Sequence, residues 1–203
     1  MSTCTRKVLI ALKEKQLPFE LIAVDMANKE HKSEAYRQKQ PFGVIPYLDD
    51  DGFIIYESRA IARYLEAKYK GQGTELIPIN VQDLGLFEQG ASVETSYFDQ
   101  ASTIVVERFF KPVYYQIQGD EQVAKTAEAK LAANLDVYEK ILSKQEYIGG
   151  KTFTLADAFH IPMGALLFVP AVNGASLIND RPHVKAWWEK ITSRPSWVEI
   201  TKQ

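Results

Sequence analysis

One segment, Gln40 to Leu65, constrains the fold of this chain more than any other, because its residue types follow the order of a β-hairpin and a helix. Two short apolar runs, the first with an Ile45-Pro46 step, flank Asp51-Gly52, a dipeptide that favours tight turns between antiparallel strands. Glu57-Ser58 then precedes an amphipathic pattern that predicts a helix over 58–70. The first N–H groups of a helix lack partners within it and attract anions. The segment therefore predicts a site for a small anionic peptide.

The first seventy residues combine helical and extended patterns. Apolar positions over 6–15 recur at helical spacing, and Thr3 or Thr5 is available as the helix cap. A proline ends this pattern, and the apolar run 19–24 predicts a strand inside a sheet. A weaker helical turn at 34–40 leads into the hairpin. This order of elements indicates a sheet-based α/β unit.

Helical patterns dominate the rest of the chain. Helices are expected over 82–115, 121–143, 155–169 and 182–193. Thr154 and Asp157 have the spacing of a capping box, in which the side chains and main chains of a helix start satisfy each other. The sequence therefore predicts an α/β domain at 1–70, a glycine- and proline-containing linker at 71–81 and an all-α helical bundle at 82–203.

Composition and charge argue against several classes of protein. The 203 residues are 46% hydrophobic and 25% charged with a net charge of −2, which lacks the basic excess of nucleic-acid binders. One cysteine, Cys4, leaves no internal disulfide framework, which fits a reducing, cytoplasmic compartment. No apolar run reaches the roughly 18 residues that cross a bilayer, so no membrane partner is expected. No cluster of His, Cys or carboxylate residues has the spacing of metal ligands.

Five blocks, in order along the chain, carry a resemblance to a known family. They are STCTRKVL at the start, EHK at 30–32, QPFGVIPYL at 40–48, YESRAIARYL at 56–65, and GGKTFTLADAFHIP at 149–162 with RPHVKAWWEKITSRPSW near the end. Together they resemble a glutathione transferase, most closely of the phi class and its fungal relatives. The resemblance implies a thioredoxin-like N-terminal domain and an all-α C-terminal domain. It also implies a strand before the serine-bearing loop, whereas Ser2 here follows Met1 directly, so we expect this domain to lack its first strand.

The resemblance implies that Ser2 is the catalytic residue. A glutathione thiol with an ordinary pKa of about 8.5 is mostly protonated at neutral pH. A hydroxyl directed at the sulfur, near the positive end of the first helix, would favour the thiolate without itself attacking the substrate. In an alternative reading Cys4 forms a mixed disulfide with glutathione, as in a glutathione-dependent peroxidase or thiol-transferase. The family's activating position, however, aligns with Ser2, two residues earlier.

The resemblance also assigns residues to the γ-glutamyl and cysteinyl parts of glutathione. Ser58 would bind the γ-glutamyl carboxylate through its hydroxyl and N–H, and Glu57 would pair with the ammonium group. The main chain of Ile45, before a cis proline, would pair with the cysteinyl unit. Val44 departs from the Gln or Lys that the family often has there, so we expect it to contribute its main chain alone.

The glycyl end of glutathione carries a second carboxylate. His31 and Lys32 match the family's pair of residues near that group. A cationic partner for a carboxylate is chemically reasonable, since charge-assisted hydrogen bonds are stronger than neutral ones. From the residues alone, both would be solvated loop charges.

A hydrophobic second substrate is expected to bind between the two domains. Four aromatic residues are candidates for the wall of that pocket: Tyr97, Phe98, Phe109 and Phe159. Aromatic side chains on helices also form cores, so both roles stay open for each.

The resulting hypothesis is an enzyme of detoxification, a glutathione transferase that conjugates the thiolate of reduced glutathione to small hydrophobic electrophiles. Glutathione would be a co-substrate, and no cofactor is expected. The resemblance further implies a homodimer, with Phe42 as an interface residue. A non-catalytic carrier of apolar ligands is the alternative from another class, beside the peroxidase or thiol-transferase that uses Cys4.

Overall fold

The computed structural model describes residues 2 to 202, so the outermost residue of each predicted domain lies outside the described part. The amino-terminal part places a β-hairpin between helices. Its elements are α1 (Thr3–Glu14), α2 (Glu34–Lys39), β1 (Tyr47–Asp50), β2 (Phe53–Tyr56) and α3 (Ser58–Lys68), with a 3-10 turn at Glu30–Lys32 before α2.

The hairpin has the predicted tight turn. Asp50 pairs with Phe53, and between them Asp51 and Gly52 have φ angles of +53° and +90°. Two positive φ angles in succession match the twist of antiparallel strands, and glycine and aspartate tolerate them. The first strand begins at Tyr47, directly after the Ile45-Pro46 step, because the proline has no N–H to donate to a ladder.

The predicted strand at 19–24 is wrong. Within residues 2 to 202, the N–H and C=O groups of this stretch form no hydrogen bonds, and it is assigned no strand. The side chains of Leu21 and Ile22 are 47% and 74% exposed. A strand exists only beside a partner backbone, and the sheet of the described residues consists of β1 and β2 alone. This two-stranded sheet agrees with a thioredoxin-like domain that lacks its first strand.

The remainder of the described chain is helical. Its helices are α4 (Val81–Val93), α5 (Gln100–Val105), α6 (Glu121–Leu142), α7 (Leu155–Gly164), α8 (Ala175–Asn179), α9 (Pro182–Thr192) and α10 (Pro195–Thr201). π-helical segments follow α4 (Glu94–Phe98) and α5 (Val106–Tyr114), so the predicted helix at 82–115 is interrupted twice. Helices α8 and α10 were not predicted. Both are short, and short helices give a weak periodic signal.

The predicted capping box is confirmed and forms part of a larger hydrogen-bond centre. Asp157 is fully buried, and its Oδ2 accepts from the N–H of Thr154 at 3.0 Å. Its Oδ1 accepts from the N–H of Ile148 and from Nε1 of Trp187, each at 2.9 Å. Burial raises the pKa of Asp157 in spite of these bonds. The carboxyl group therefore joins the start of α7 to a loop and to α9.

Helix α1 is shared between the two halves of the molecule. It packs against α3 on one side and against α7 and α10 on the other. At its carboxyl end, Glu14 accepts two hydrogen bonds from Arg194 at 2.6 Å each and one from Ser196 at 2.6 Å. The helical half therefore holds α1, and with it Ser2 at the opposite end of that helix.

Candidate functional site

Ser2 caps the amino end of α1. Its Oγ accepts a hydrogen bond from the N–H of Thr5 at 3.4 Å, so the cap is Ser2 and neither Thr3 nor Thr5. Because the hydroxyl oxygen is the acceptor in this bond, its hydrogen stays available for a ligand. The side chain is half-buried and lines a large cavity. A hydroxyl donor thus lies beside the positive end of a helix dipole.

The cavity brings together five of the predicted site residues. Ser2, His31, Lys32, Ile45 and Phe109 all line it, and its volume is about 2090 Å³. A site for a small molecule usually occupies roughly 300–1,000 Å³. The cavity is larger than such a site because the unpaired stretch 19–24 and the free edge of β1 also line it.

The loop before β1 presents unpaired main-chain groups. The Ile45–Pro46 peptide bond is cis. Within the described residues, the N–H and C=O of Ile45 form no hydrogen bond. The carbonyl of Val44, by contrast, accepts from the hydroxyl of Tyr36 at 3.0 Å, and Val44 is not on the cavity wall. Ile45 is therefore the residue of this pair whose main chain can bind an extended ligand in the cavity.

The amino end of α3 offers a second group of donors. Ser58 is buried, and its N–H and that of Arg59 have no acceptor in the described part of the chain. Glu57, which precedes them, is exposed and has a φ of +69°. A non-glycine residue with such a backbone conformation is often found at a ligand site. Neither Glu57 nor Ser58 lines the large cavity, so the structure places them apart from its wall.

His31 has an unpartnered nitrogen. Its Nδ1 is buried and has no hydrogen-bond partner among residues 2 to 202, while the neighbouring Lys32 is exposed. Both side chains belong to the cavity wall. The pair can therefore offer a ring nitrogen and an ammonium group to an anionic end of a ligand.

An aromatic cluster forms another part of the cavity wall. Phe109 lies edge-on to Tyr114, with ring centroids 5.7 Å apart and an interplanar angle of 86°. Phe110, Tyr115 and Leu166 line the cavity with them. Sequence reasoning found Phe109 but missed the others, although the run FFKPVYY at 109–115 concentrates aromatic residues in one short segment. The π-helical winding of that segment decides which of them face the cavity.

Three other aromatic candidates do not line the cavity. Phe98 and Phe159 are buried in the core, where Phe98 packs edge-on against His160 with centroids 4.8 Å apart. Tyr97 is exposed, and its carbonyl accepts from Nδ2 of Asn134 at 2.8 Å. Helical winding turns these side chains toward the core or toward solvent, a direction that residue type alone does not give.

Cys4 lies in the first turn of α1 but is not part of the cavity wall. It is half-buried, and the wall includes Ser2, Thr3 and Thr5 but not Cys4.

From Ser2 to Lys202, no group of three or more His, Cys, Asp or Glu side chains is placed to hold a metal ion. Over the same range, no helix combines the length and the apolar character needed to span a bilayer.

Comparison with known proteins identifies relatives along almost the entire chain. Residues 1–73 match the family model of the glutathione S-transferase N-terminal domain, and residues 97–195 match that of the C-terminal domain. Glutathione S-transferase PM239X14 of Arabidopsis thaliana is 47% identical over 192 residues, which cover 92% of this chain and 86% of that protein. Glutathione S-transferase hmp2 of Hypomyces subiculosus is 41% identical over 207 residues, which cover 98% and 94%.

Solved structures give the same result. Glutathione transferase F7 from Populus trichocarpa superposes with a TM-score of 0.93 at 39% identity, over 100% of this chain and 94% of that one. Glutathione S-transferase I from mais, in complex with an atrazine glutathione conjugate, superposes with a TM-score of 0.90 at 29% identity, over 100% and 93%. With the serine-capped helix and the loop at Ile45-Pro46, these matches show that the chain belongs to the glutathione S-transferase family and is most similar to its phi class.

Proposed function

We propose that this protein conjugates glutathione to small hydrophobic electrophiles. The thiol of bound glutathione loses its proton to solvent, and the thiolate sulfur forms a bond to an electrophilic carbon of the second substrate. A leaving group departs with its electron pair, or the sulfur adds to an activated double bond, whose electron pair then takes up a proton from solvent. The observation that carries this proposal is the presence of Ser2, unpaired Ile45 main chain and an aromatic cluster on the wall of one cavity.

The proposed role of Ser2 is to stabilise the thiolate. A thiol with a pKa of about 8.5 is only a few per cent ionised at neutral pH, and each unit by which the pKa falls corresponds to about 1.4 kcal/mol. The free hydrogen of the Ser2 hydroxyl and the positive end of α1 both favour the ionised sulfur. Holding the two substrates together supplies a further share of the rate.

We propose that the rest of glutathione extends from α3 toward the 3-10 turn before α2. The unpaired N–H groups at the start of α3, with the hydroxyl of Ser58, suit the γ-glutamyl carboxylate, and Glu57 suits its ammonium group. The free main chain of Ile45 suits the cysteinyl unit. His31 and Lys32 suit the glycyl carboxylate. These assignments give each charged end of the tripeptide a partner of opposite charge or a helix amino end.

The proposed site for the electrophile is the aromatic cluster of Phe109, Phe110, Tyr114 and Tyr115. Aromatic faces and edges suit flat, apolar substrates. The relative from mais that was solved with an atrazine glutathione conjugate supports an aromatic electrophile for this chain as well. Glutathione serves as a co-substrate in this reaction, and the proposed steps need no further cofactor.

We propose that the protein acts as a cytoplasmic homodimer. Phe42 is 67% exposed and lies edge-on to Tyr56, with ring centroids 6.0 Å apart. An exposed aromatic residue on a surface loop is a suitable anchor for a second copy of the chain. The single cysteine fits a reducing compartment.

We also propose that the chain divides into domains at 1–70 and 82–203 with a linker at 71–81. The support is the distribution of strands and the positions of the two family models, of which the first ends at residue 73 and the second begins at residue 97.

The test of the proposed function compares Ser2→Ala, Ser2→Thr and Cys4→Ser in the conjugation of a chloronitroaromatic compound by glutathione. Ser2→Ala is expected to lower kcat by about tenfold or more, a loss equivalent to about 1.4 kcal/mol. Ser2→Thr keeps a hydroxyl and the helix cap, so it separates loss of the donor from loss of the cap. Cys4→Ser is expected to retain activity.

Other results would overturn the proposal. Unchanged turnover in both Ser2→Ala and Cys4→Ser would exclude a role for Ser2 in making the thiolate. A glutathione adduct on Cys4, seen by mass spectrometry, together with loss of activity in Cys4→Ser would indicate a thiol-transferase. Tight binding of apolar compounds without turnover would indicate a carrier.

A further inference from the structure

Arg6 lies on the cavity wall one helical turn beyond Ser2. Both residues line the large cavity, and the N–H of Arg6 donates to the carbonyl oxygen of Ser2 at 3.0 Å, which is the first hydrogen bond of α1. Residues four apart are neighbours on a helix surface, with Cβ atoms about 5–6 Å apart. The guanidinium group therefore belongs to the same side of α1 as the hydroxyl that is proposed to stabilise the thiolate.

The charge of Arg6 has no partner among the described residues. Its Nε is buried and has no hydrogen-bond acceptor there. The other cations of α1 are both paired, Lys7 with Glu94 at 3.2 Å and Lys13 with Glu199 at 2.8 Å. A buried donor without an acceptor is unfavourable, so a ligand that brings an acceptor to this position gains the hydrogen bond at little cost in desolvation.

The indole ring of Trp197 is the main neighbour of the guanidinium group. Cζ of Arg6 lies 5.6 Å from the ring centroid, within the range of cation–π contacts, and Trp197, on α10, is 6% exposed. The aromatic ring attracts the cation and holds the side chain in place, but it has no oxygen that could accept from the nitrogens. The planar group therefore keeps its N–H donors for an acceptor that a ligand supplies.

Arg6 is separate from the groups proposed to bind glutathione. His31 and Lys32, proposed for the glycyl carboxylate, belong to the 3-10 turn before α2, and the γ-glutamyl carboxylate is assigned to the amino end of α3. The aromatic cluster proposed for the electrophile shares the cavity wall with Arg6. Four carboxylates also line the cavity but form no ion pair with Arg6: Glu20, Glu30, Asp49 and Asp50. An anionic group of the second substrate is therefore the partner that the cavity leaves for this cation.

We propose that Arg6 is a specificity-determining residue that binds a carboxylate on the ring of an aromatic electrophile. This inference rests on the proposed function and names the class of second substrate, acidic aromatic compounds. A guanidinium group matches a carboxylate through two parallel N–H···O bonds. Four residues of helix, about 6 Å along the axis, separate Arg6 from Ser2, which is similar to the length of a substituted benzene ring. A ring whose carboxylate binds Arg6 can thus present its opposite carbon to the sulfur beside Ser2.

Two substrates that differ by one charge test this proposal. A chloronitrobenzoate with its carboxylate para to the chlorine is compared with the corresponding chloronitrobenzamide, which has a neutral group of similar size at that position. In both reactions the thiol proton goes to solvent, the thiolate sulfur bonds to the ring carbon, and chloride leaves with its electron pair. The two rings differ in intrinsic reactivity, so the quantity measured is the ratio of kcat/KM for the acid to kcat/KM for the amide, compared between variants.

Replacement of Arg6 should change this ratio. Arg6→Met removes the charge and keeps an unbranched side chain, and it is expected to lower the acid-to-amide ratio about tenfold, since the charge-assisted hydrogen bonds to the carboxylate are lost. Arg6→Lys keeps the charge without the planar pair of donors, so its ratio is expected to lie between those of Arg6→Met and the wild type. The KM for glutathione should stay near the wild-type value in both, and thermal unfolding monitors the fold.

Lys13→Met is a matched control on the same helix. Nζ of Lys13 lies 5.9 Å from the ring centroid of Phe19, so this cation also has an aromatic neighbour. Unlike Arg6 it is paired, with Glu199, and it is not part of the cavity wall. Lys13→Met removes the same charge from α1 and is expected to leave the acid-to-amide ratio unchanged.

Several results would exclude the carboxylate site. An acid-to-amide ratio in Arg6→Met equal to that of the wild type would do so, and an equal fall in Lys13→Met would show an effect of overall charge instead. A raised KM for glutathione with an unchanged ratio would place Arg6 on glutathione. If Arg6→Met does not fold, the wild type decides, because its KM for the acid must be lower than its KM for the amide.

The amide separates this inference from the proposed function. Absence of conjugation of both compounds by the wild type would overturn the proposed function and the inference together. Conjugation of the amide by the wild type, with an acid-to-amide ratio that does not respond to Arg6, would overturn the inference alone.

Discussion

His160 Nε2 lies 3.0 Å from the hydroxyl oxygen of Tyr138 in the core of the helical half. The other ring nitrogen, Nδ1, lies 2.7 Å from the carbonyl oxygen of Ala156. Because a carbonyl only accepts, Nδ1 carries the proton of the neutral ring, and the Tyr138 hydroxyl donates to Nε2. A second proton on the ring would turn Nε2 into a donor. Burial, first of all, lowers the pKa of His160 to about 4.

This low pKa predicts that stability falls in mild acid. In the unfolded chain His160 takes up a proton near its ordinary pKa of 6.5, whereas in the folded protein it stays neutral down to about pH 4. The folded state therefore binds fewer protons, and its stability is complete above about pH 6.5 and is lost progressively down to about pH 4. Between about pH 7.5 and 5.5, the free energy of unfolding should decrease by about 1.4 kcal/mol through this residue.

Denaturant unfolding at several pH values between 7.5 and 5.5 measures this decrease. His160→Asn removes the titrating group, so its stability is expected to be lower at every pH but to change less across the range. If the free energy of unfolding of the variant depends on pH as strongly as that of the wild type, His160 is not the source of the decrease.

Replacement of Asp157 by alanine is expected to lower the free energy of unfolding by about 3–5 kcal/mol, since the variant leaves buried N–H donors without an acceptor. The donors are the main-chain N–H groups of Ile148 and Thr154 and Nε1 of Trp187. Urea unfolding followed by tryptophan fluorescence measures the change. Asp136→Ala is the control, because Asp136 is an exposed partner of Arg181, and its loss should cost less than about 1 kcal/mol.

Two aromatic residues of the helical half should respond differently to truncation. Phe98 is 1% exposed in the core, so Phe98→Ala is expected to cost about 3–5 kcal/mol of stability. Phe109 lies on the cavity wall and is only partly buried, so Phe109→Ala should cost less stability and raise the KM for an aromatic electrophile several-fold. Thermal unfolding and steady-state kinetics test the pair. Equal effects on both properties would contradict the assignment of Phe109 to the wall.

Phe42 offers a test of the proposed homodimer. Phe42→Glu places a charge on an exposed anchor and is expected to weaken self-association by about tenfold or more, since central aromatic anchors carry much of an interface's binding energy. Sedimentation velocity over a range of concentrations measures the association. Val123→Glu, at another exposed apolar position, serves as the control and should leave the association unchanged.

Local signals in the sequence predicted the elements that local interactions determine. The Asp51-Gly52 turn and the capping box of Thr154 with Asp157 each depend on residues within four positions of one another, and both are present. The apolar run 19–24 has an equally clear local pattern, but a strand depends on a neighbouring backbone, and no pattern within the run reports whether one exists.

The candidate site likewise contains residues that local sequence indicates and residues whose contacts depend on distant parts of the chain. The family resemblance indicated Ser2 and Ile45, and both lie on the cavity wall, one at a helix end and one in a loop that the sequence marks. The contacts of Arg6 and Lys7 could not be predicted, since Trp197 lies near the other end of the chain and Glu94 is 87 residues away from Lys7. Whether a glutamate is buried is determined by the packing of the whole molecule and not by the residues next to it in the sequence.

The unpaired stretch 19–24 gives the last prediction, which concerns amide hydrogen exchange. Its N–H groups have no acceptor within residues 2 to 202, so they should exchange nearly as fast as in an unfolded peptide, whereas the helical amides of Leu9 and Ile10 in α1 should be strongly protected. A run of about six apolar residues fused ahead of Ser2 can reach the space between this stretch and β1, and a strand buried on both faces is apolar throughout. Such a fusion is expected to slow exchange over 19–24, while a fusion of six polar residues should not. Protection of 19–24 in the unmodified chain would contradict the absence of a partner strand.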